Sequence, residues 1–288
     1  DVLVIDNASG GNVVETLRAA HPATELIALP ENLGWAGGNN AGIELGLQRG
    51  YRWICLLNND TVFPDGAVAA MLASARELPP CLLHSSIYYW DEPDQPQLYP
   101  GRDGSTTAYD GTLWHGRLRM RYAYGACLAI HRDVFTKVGQ FDERFFLQLE
   151  ETDFYCRASA AGYAAVCDPA IRIFHKESRA FGGRQAPIKT YYTVRNSLLL
   201  IEKNREPARP RALKNLYWTI ASLAALDARD GAKPGVAGVV KWLCSSSAGA
   251  AAVRYGLRDY LLRRFGRLAP RAQQRLQAVP AAVAVQAP

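Results

Sequence analysis

Short apolar runs alternate with amphipathic segments over the first 60 residues of the chain. Residues 1–6, 25–29 and 53–57 are apolar runs of strand length, bounded by residues that favour turns. Between them, apolar residues recur at helical spacing in 12–20 and 41–49. Strands that alternate with helices predict a largely parallel sheet with helices on its faces.

The pattern becomes less regular after Pro64. A helix with Val68, Leu72 and Ala75 on its apolar face is predicted first, and residues 79–122, rich in Pro, Gly, Tyr and Asp, predict a long irregular insertion. The elements predicted beyond it are strands at 124–130, 164–167 and 172–174, and helices at 133–138, 152–161 and 187–203. The rest is predicted to be helical, with a disordered tail at 276–288.

Composition narrows the class of protein. The chain has 288 residues, 49% of them hydrophobic, which is enough for a sizeable core. No stretch reaches the ~20 apolar residues of a membrane span, and no signal-peptide pattern opens the sequence. The six cysteines show no CxxC pair, which indicates reduced thiols in a cytosolic protein.

Charge is unevenly distributed. Residues 203–275 contain 15 Lys or Arg and 4 Asp or Glu, a net charge of +11, whereas the whole chain carries +6. Because residues 276–288 are uncharged, residues 1–202 sum to −5. A mildly acidic front half argues against a nucleic-acid enzyme and suits a metal-binding catalytic half. The basic region suits contact with anionic lipid, or is a set of solvated Arg-rich helices.

One basic helix has an apolar stripe. Its apolar positions step by three or four residues, and four arginines lie off that stripe; the stripe comprises Val253, Leu257, Leu261, Phe265 and Leu268. Such a helix is typical of a membrane surface. The alternative is a helix that packs this stripe against the rest of the protein.

Two acidic patches carry the candidate chemistry. Asp60 follows the buried run 53–57, which places its carboxylate at the sheet edge where α/β proteins bind ligands. A carboxylate there can hold a divalent metal on a substrate diphosphate. The second patch, Glu150, Glu151 and Asp153, can supply a general base. Together they are the minimum for a metal-dependent transferase that uses a nucleotide sugar.

A series of ordered motifs resembles the family 2 glycosyltransferases, in particular their rhamnosyltransferase-like branch in bacterial cell-surface polysaccharide synthesis. The motifs are Val4-Ile5-Asp6-Asn7-Ala8-Ser9, Glu31-Asn32-Leu33-Gly34-Trp35-Ala36-Gly37-Gly38-Asn39, Leu57-Asn58-Asn59-Asp60, Gly139 to Phe146, Glu150-Glu151-Thr152-Asp153, His175 and Arg195-Asn196. The resemblance covers residues 1–203, and more weakly extends to about 267.

The resemblance implies an α/β fold of the GT-A type, Rossmann-like with a mostly parallel sheet, and an inverting mechanism with Mg²⁺ or Mn²⁺. We expect a catalytic domain at 1–203, a basic helical region at 204–275 and the tail at 276–288. The implied reaction moves rhamnose from a dTDP donor to a saccharide or lipid-linked saccharide, at the inner face of the plasma membrane.

The resemblance also assigns the donor side of the site. Asp6 would contact the base of the nucleotide, although it could equally be a turn-forming residue. A glycine-rich loop that starts a helix can approach phosphate closely. Asp60 and His175 would be the metal ligands; the nucleotide-sugar residues would be Asp6, Asn32, Gly34, Asn39, Asn59 and Asp60.

On the acceptor side, Glu151 is the candidate general base, with Glu150 as the next candidate and Asp153 beside them. The family usually has Glu-Asp-x-Asp here, so Glu151 stands where Asp is common. Asp153 could instead be a first-turn residue favoured by the helix dipole. By resemblance, the acceptor would be lined by Gly125, Ala126, Phe141, Asp142 and Glu143.

The family normally begins with an earlier strand, and residues 1–6 resemble its second one. Because the loss of a central strand would expose sheet edges, we expect residues 1–288 alone to be poorly stable or weakly active. Two other functions stay open. One is a nucleotidyltransferase on a similar core, and the other is a non-catalytic or degenerate saccharide-binding member, which would not need Glu151.

Overall fold

The computed structural model describes residues 1–98, 109–176, 186–204, 209–228 and 234–277. It divides into two compact units. The first comprises Asp1–Glu143 and Glu150–Glu177, and the second comprises Arg144–Leu149 and Ser178–Pro288. The predicted boundary at residue 203 differs from this division, because helix 187–203 packs within the second unit.

The first unit begins with a small parallel sheet. Strands β1 (Leu3–Asp6) and β2 (Glu25–Ala28) pair in register from Leu3 with Glu25 to Asp6 with Ala28. Helix α1 (Val13–Ala20) connects them, and α2 (Gly34–Gln48) follows. In the described chain these two strands pair only with each other.

A larger sheet of eight strands forms the centre of the first unit. Its main path runs β3-β9-β5-β10-β8-β7, with β4 beside β10 and β6 beside β5. The strands are β3 (Trp53–Leu57), β4 (Thr61–Val62), β5 (Leu82–Tyr89), β6 (Pro96–Leu98), β7 (Tyr109–Trp114), β8 (Arg117–Met120), β9 (Cys127–His131) and β10 (Ala165–His175). Only β5 and β10 pair in parallel, so the expected α/β architecture is present with a mixed sheet rather than a mostly parallel one.

The segment 79–122 contains regular structure, contrary to the irregular insertion predicted from its composition. It supplies β5 at the middle of the sheet, where the first seven residues are buried, and also β6, β7 and β8. The polar triplet His84-Ser85-Ser86 interrupts the apolar pattern of β5, although all three residues are fully buried. Because both faces of this strand are buried, its sequence does not alternate between apolar and polar residues, and the strand was not predicted.

Two helices differ from their predictions. Helix α2 begins at Gly34 rather than near 41, because the glycine-rich stretch is itself helical. Helix α3 (Ala67–Glu77) buries Ala67, Met71, Ser74 and Ala75. The predicted face was correct for Ala75 but wrong for the other two residues, since Val68 is 56% exposed and Leu72 is 52% exposed. Helices α4 (Arg132–Val138) and α5 (Glu150–Ala160) complete the first unit.

From Pro187 onward the described part of the second unit is built of helices, as the sequence predicted. Its helices are α6 (Pro187–Lys203), α7 (Arg209–Ala228), α8 (Val236–Leu243), α9 (Ala248–Leu261) and α10 (Pro270–Gln277). Helices α6 and α9 approach closely at Gly256, where an added Cβ would lie 2.9 Å from the carbonyl oxygen of Tyr191. Two apolar clusters flank α6.

The apolar stripe on α9 and beyond is mostly internal. Val253 and Leu268 are buried, and Leu257 packs against the cluster around Val194. The structure therefore supports the packing alternative for these residues, while Leu261 stays 75% exposed. Among the described helices, none alone has the length and hydropathy of a membrane span; α8 and α9 reach both only as a pair bent by 93°.

Candidate active site

The turn after β3 presents Asp60. The side-chain hydroxyl and the backbone N–H of Thr61 both bond to the carbonyl oxygen of Asn58, at 2.6 and 3.2 Å. The side-chain oxygen of Asn58 accepts a hydrogen bond from the indole of Trp35 at 3.0 Å. Asn58 is thus used to hold the turn, which leaves Asn59 exposed and the Asp60 carboxylate partly exposed.

His175 lies against Asp60. It is the last residue of β10, is 5% exposed, and its Nε2 is 3.0 Å from Oδ1 of Asp60. Its other nitrogen, Nδ1, lies 2.8 Å from Oε1 of Gln97 in β6. The antiparallel pairing of β4 with β10, which places Thr61 opposite His175, brings the two predicted metal ligands together.

The hydrogen bond to Gln97 decides how His175 faces Asp60. A carbonyl oxygen can only accept, so Nδ1 donates this hydrogen bond, and Nε2 is the nitrogen that faces Asp60. Nε2 makes no hydrogen bond in the described structure. A proton between Nε2 and the carboxylate, or a divalent cation bound by both, would satisfy this pair. One carboxylate and one imidazole are a donor set that Mg²⁺ or Mn²⁺ accepts.

The described residues contain no group of three or more His, Cys, Asp or Glu that could hold a metal ion. Two protein ligands leave most of the coordination sphere of an oxygen-seeking cation to other donors. A metal held partly by the substrate diphosphate stays a prediction.

The second acidic patch forms the first turn of α5. Glu150 is 4% exposed, and one carboxylate oxygen each of Glu150 and Glu151 is buried without a hydrogen bond. Burial raises the pKa of Glu151 to about 7. Burial, and then the charge of Glu151, raises the pKa of Glu150 well above its usual range. A carboxylate with a pKa near neutrality is suited to general base catalysis at physiological pH.

Asp153 has a structural partner. Its Oδ2 accepts a hydrogen bond from Nε of Arg157, one turn later on α5, at 2.9 Å. Arg157 also donates to the carbonyl oxygens of Val138 and Gln140. Asp153 therefore helps to anchor α5 to the loop after α4; a catalytic part for it stays a prediction.

The loop after β1 is organised by hydrogen bonds. The carboxylate of Asp6 accepts from the backbone N–H of Ser9 at 3.3 and 3.4 Å, which is the turn that was one of its two predicted roles. Asn7 donates to the carbonyl oxygen of Gly34 and accepts from the N–H of Leu33, both at 2.8 Å. A Cβ at Gly38 would lie 2.8 Å from Asn7, so glycine is needed for this approach.

Polar residues just before and within α2 also make hydrogen bonds. Asn32 accepts from the N–H of Gly34, and Asn39 donates to the carbonyl oxygen of Trp35, both at 2.8 Å. The buried Asn40 bonds to the backbone of Phe141 in both directions and donates to the carboxylate of Glu143 at 3.0 Å. These bonds connect the start of α2 with the segment 141–143, which was predicted to face the acceptor.

The predicted acceptor residues differ in exposure. Ala126 and Phe141 are 3% and 4% exposed, and Phe141 packs edge-on against Trp35. A Cβ at Gly125 would lie 2.8 Å from the Trp35 ring. Asp142 is half-buried and Glu143 is exposed, so these two side chains are the most accessible of the set.

Sequence reasoning missed four residues that organise this site: Asn7, Trp35, Asn40 and Gln97. Asn7 and Trp35 lie inside motifs that we had recognised, so their positions offered a signal. Gln97 offered none, because it lies in a segment that was predicted to be irregular. Lys176, Arg179 and Arg184 form a basic stretch after β10 that could close over a diphosphate; Lys176 is described, whereas Arg179 and Arg184 lie outside the described residues. Residues 278–288 of the predicted tail also lie outside them.

Comparison with known families gives one domain match. Residues 1–139 match the sequence model of Glycosyl transferase family 2. The match includes β1, α2 and the Asp60 turn, and ends before Glu150.

Curated relatives cover more of the chain. An N-acetylglucosaminyl-diphospho-decaprenol L-rhamnosyltransferase of Mycobacterium tuberculosis (strain ATCC 25618 / H37Rv) is 26% identical over 252 residues, covering 78% of this chain and 81% of the relative. The dTDP-rhamnosyl transferase RfbF of Shigella flexneri is 24% identical over 217 residues, covering 72% of each.

A solved structure shows the same fold. The mannosyltransferase PcManGT from Pyrobaculum calidifontis, in complex with GDP-Man and Mn²⁺, superposes with a TM-score of 0.52 at 15% identity. The alignment covers 92% of this chain and 78% of that one. The expected GT-A fold is thereby confirmed.

Proposed function

We propose that this chain, which carries a family 2 glycosyltransferase domain in residues 1–139, transfers a sugar from a nucleoside-diphosphate donor with inversion at the anomeric carbon. The observation that carries the proposal is the approach of Asp60 to Nε2 of His175 at 3.0 Å, with Nδ1 bound to Gln97. This geometry supports the proposal because it brings together two side chains that could bind a metal ion.

Asp60 and His175 would hold a divalent cation, Mg²⁺ or Mn²⁺, since both accept oxygen and imidazole ligands. When bound, the cation neutralises the charge that develops on the departing diphosphate. Gln97 keeps the His175 ring in the orientation that exposes the Nε2 lone pair.

Glu151 would be the general base. Its carboxylate takes the proton of the acceptor hydroxyl while that oxygen attacks the anomeric carbon, and the bond from that carbon to the diphosphate oxygen breaks in the same displacement. Its raised pKa supports this assignment. Glu150, which is more deeply buried and whose pKa is raised well above its usual range by burial, is the second candidate for the base.

Rhamnose from a dTDP donor is the proposed sugar, and a lipid-linked saccharide is the proposed acceptor. Two relatives are named rhamnosyltransferases, and one of those names specifies a diphospho-decaprenol acceptor. Such an acceptor would bring this chain to the inner face of a bacterial membrane during cell-surface polysaccharide synthesis.

The test is donor turnover. The protein is incubated with a panel of nucleotide sugars, Mg²⁺ or Mn²⁺ and a lipid extract as acceptor, and release of the nucleoside diphosphate is followed. We expect release from dTDP-rhamnose, a loss with chelator, and a fall of at least 100-fold in Asp60→Asn. Asp65→Asn is the matched control, because Asp65 is exposed five residues further along the same connection.

Two outcomes contradict the proposal. Release that is unaffected by chelator and by Asp60→Asn would exclude the proposed metal site. No release from any donor by a folded protein would favour a saccharide-binding or degenerate member of the family.

A further inference from the structure

The segment Arg144–Leu149, which precedes α5, has an unusual backbone. Phe146, Gln148 and Leu149 all have positive φ, at 62°, 72° and 72°, and none of them is glycine. Residues with a Cβ seldom adopt this left-handed conformation, and they keep it only when surrounding contacts impose it. The segment must therefore be held by other parts of the second unit, to which it belongs.

Arg195 on α6 supplies part of this hold. It is fully buried, and its guanidinium donates to the carbonyl oxygens of Arg144 at 3.0 Å and Phe145 at 2.9 Å. It also donates to the carbonyl oxygen of Gly266 at 2.6 Å, whose own N–H bonds back to Arg144. The Arg195 side chain thus donates hydrogen bonds to carbonyl oxygens of both segments, 144–145 and Gly266.

Asn196, the next residue, supplies the rest. It is also fully buried, and its Nδ2 lies within hydrogen-bond distance of three carbonyl oxygens: those of Phe145 at 2.9 Å, Leu147 at 2.8 Å and Gln148 at 2.7 Å. Its Oδ1 accepts from Nε of Arg195 at 2.9 Å, which orients the amide. Successive carbonyls can converge on one amide because left-handed residues lie between them.

The buried charge of Arg195 is spread over neutral oxygens. Besides the carbonyls, its Nη1 donates to the hydroxyl of Tyr191 at 3.2 Å, and that hydroxyl donates to Asp259 at 3.0 Å. A buried guanidinium is tolerated only when its donors are satisfied. The segment and Arg195 therefore depend on each other, since each satisfies polar groups of the other.

We infer that Arg195 and Asn196 are positioning residues: they fix the backbone of 144–149 and, through the peptide bond from Leu149 to Glu150, the backbone conformation from which the turn with Glu150 and Glu151 begins. Leu149 is joined covalently to Glu150, and the two glutamates occupy the first turn of α5. The left-handed residues directly before them determine the direction in which that turn begins. This inference rests on the proposed function for the catalytic part of Glu151, whereas the hold on 144–149 can be measured without any activity.

The test compares two ways of disturbing the segment. Asn196→Leu removes the donors at nearly constant size. Gln148→Pro leaves α6 unchanged but prevents positive φ at a half-buried position, because proline is restricted to φ near −65°. The matched controls are Asn204→Leu, at the C-cap of α6, and Gln148→Gly, which tolerates the left-handed backbone.

Two quantities are measured on each full-length variant. Hydrogen exchange with mass spectrometry follows the peptides that cover 144–152, and steady-state kinetics gives kcat and the donor KM. We expect exchange at least tenfold faster in Asn196→Leu and Gln148→Pro, and kcat at least tenfold lower with donor KM within about threefold. The two controls should resemble the wild type.

The outcomes separate the inference from the proposed function. Unchanged exchange over 144–152 in both folded variants would overturn the hold. Faster exchange with unchanged kcat would overturn the positioning role. If the wild type turns over no donor, the proposed function fails, while the exchange data still decide whether the two residues hold the segment. If Asn196→Leu does not fold, Arg195→Lys and Gln148→Pro provide the same comparison.

Discussion

Glu150 and Glu151, which are adjacent on the first turn of α5, differ in how far their pKa values are raised. Both carry a buried oxygen without a hydrogen bond, so burial makes the charged form costly for each. Glu150 is affected more, because the charge of Glu151 adds to its burial. One carboxyl that stays protonated beside another that ionises near neutrality is an arrangement that favours acid and base chemistry.

At the residue scale, turnover should therefore rise with pH about a midpoint near 7, since only the ionised form of Glu151 can accept a proton. The ordinary carboxyl pKa near 4.5 would place this limb well below the physiological range. A pH–rate profile measures it. Glu151→Gln should lower kcat by at least 100-fold, and a profile that is unchanged in this variant would contradict Glu151 as the base.

The same shift predicts a change in stability. Between about pH 4.5 and 7 the folded state binds more protons than the unfolded state, so the contribution of Glu151 to stability falls as pH rises. Replacing it by neutral Gln should raise the free energy of unfolding, and so stabilise the protein, by about 1–3 kcal/mol more at pH 8 than at pH 4. Urea unfolding at both pH values measures this, with Glu15→Gln on the surface of α1 as control.

At the scale of elements, glycine determines how closely helices approach. At Gly256 of α9, an added Cβ would lie 2.9 Å from the carbonyl oxygen of Tyr191 and 3.2 Å from the backbone nitrogen of Arg195. Both atoms belong to the backbone of α6, so they cannot move without the helix. At Gly42 of α2, the nearest atom is a side-chain carbon of Ile5 at 3.5 Å, an ordinary contact.

Gly256→Ala should therefore destabilise the protein by about 1–3 kcal/mol, although alanine is the better helix former. Gly42→Ala is the matched control, and its better helix propensity should leave stability unchanged or raise it by up to about 1 kcal/mol. Thermal and urea unfolding of both variants measure the difference. Equal effects in the two variants would show that the approach of α9 to α6 is not the limiting feature.

At the scale of the whole molecule, charge and exposed apolar residues favour a surface for anionic lipid. Residues 203–275 carry a net charge of +11, and Leu261 and Leu262 at the end of α9 are 75% and 54% exposed beside Arg264. A cationic region with a few exposed apolar side chains is typical of reversible attachment to membranes. The proposed lipid-linked acceptor would require such attachment.

We therefore expect the protein to sediment with vesicles that contain phosphatidylglycerol and to stay in solution with phosphatidylcholine alone. Binding should be lost near 0.5 M salt, where charges more than about 5 Å apart are screened. Leu261→Ser with Leu262→Ser should weaken binding about tenfold, whereas Val68→Ser with Leu72→Ser, which are also exposed but lie on α3, should not. Equal binding to neutral vesicles would contradict an electrostatic attachment.

Much of the architecture followed from local patterns. The strands at 3–6, 25–28 and 53–57 and the helix at 187–203 were predictable because runs of apolar residues and helical spacing depend only on neighbouring residues. The ordered motifs indicated the family, which the comparison of residues 1–139 supports. Asp60, Glu151 and His175 were likewise named from their motifs.

Other features depended on contacts between distant residues. The strand 82–89 was missed because burial on both faces accommodates His84, Ser85 and Ser86, which as a sequence resemble a loop. Of the apolar face predicted for α3, Ala75 is buried but Val68 and Leu72 are exposed, because these two fit helical spacing as well as the buried Ala67 and Met71 do. Spacing alone cannot tell which side of a helix meets the sheet.

The sequence by itself determined which residue types are present and in what order, and hence the class of fold and the candidate chemistry. Only the tertiary structure decided that His175 faces Asp60 while Gln97 holds its other nitrogen, and that Arg195 and Asn196 hold the backbone before Glu150. The physical reason is that hydrogen bonds and burial act over a few ångströms in space, whereas these partners are separated by 48 to 115 residues along the chain.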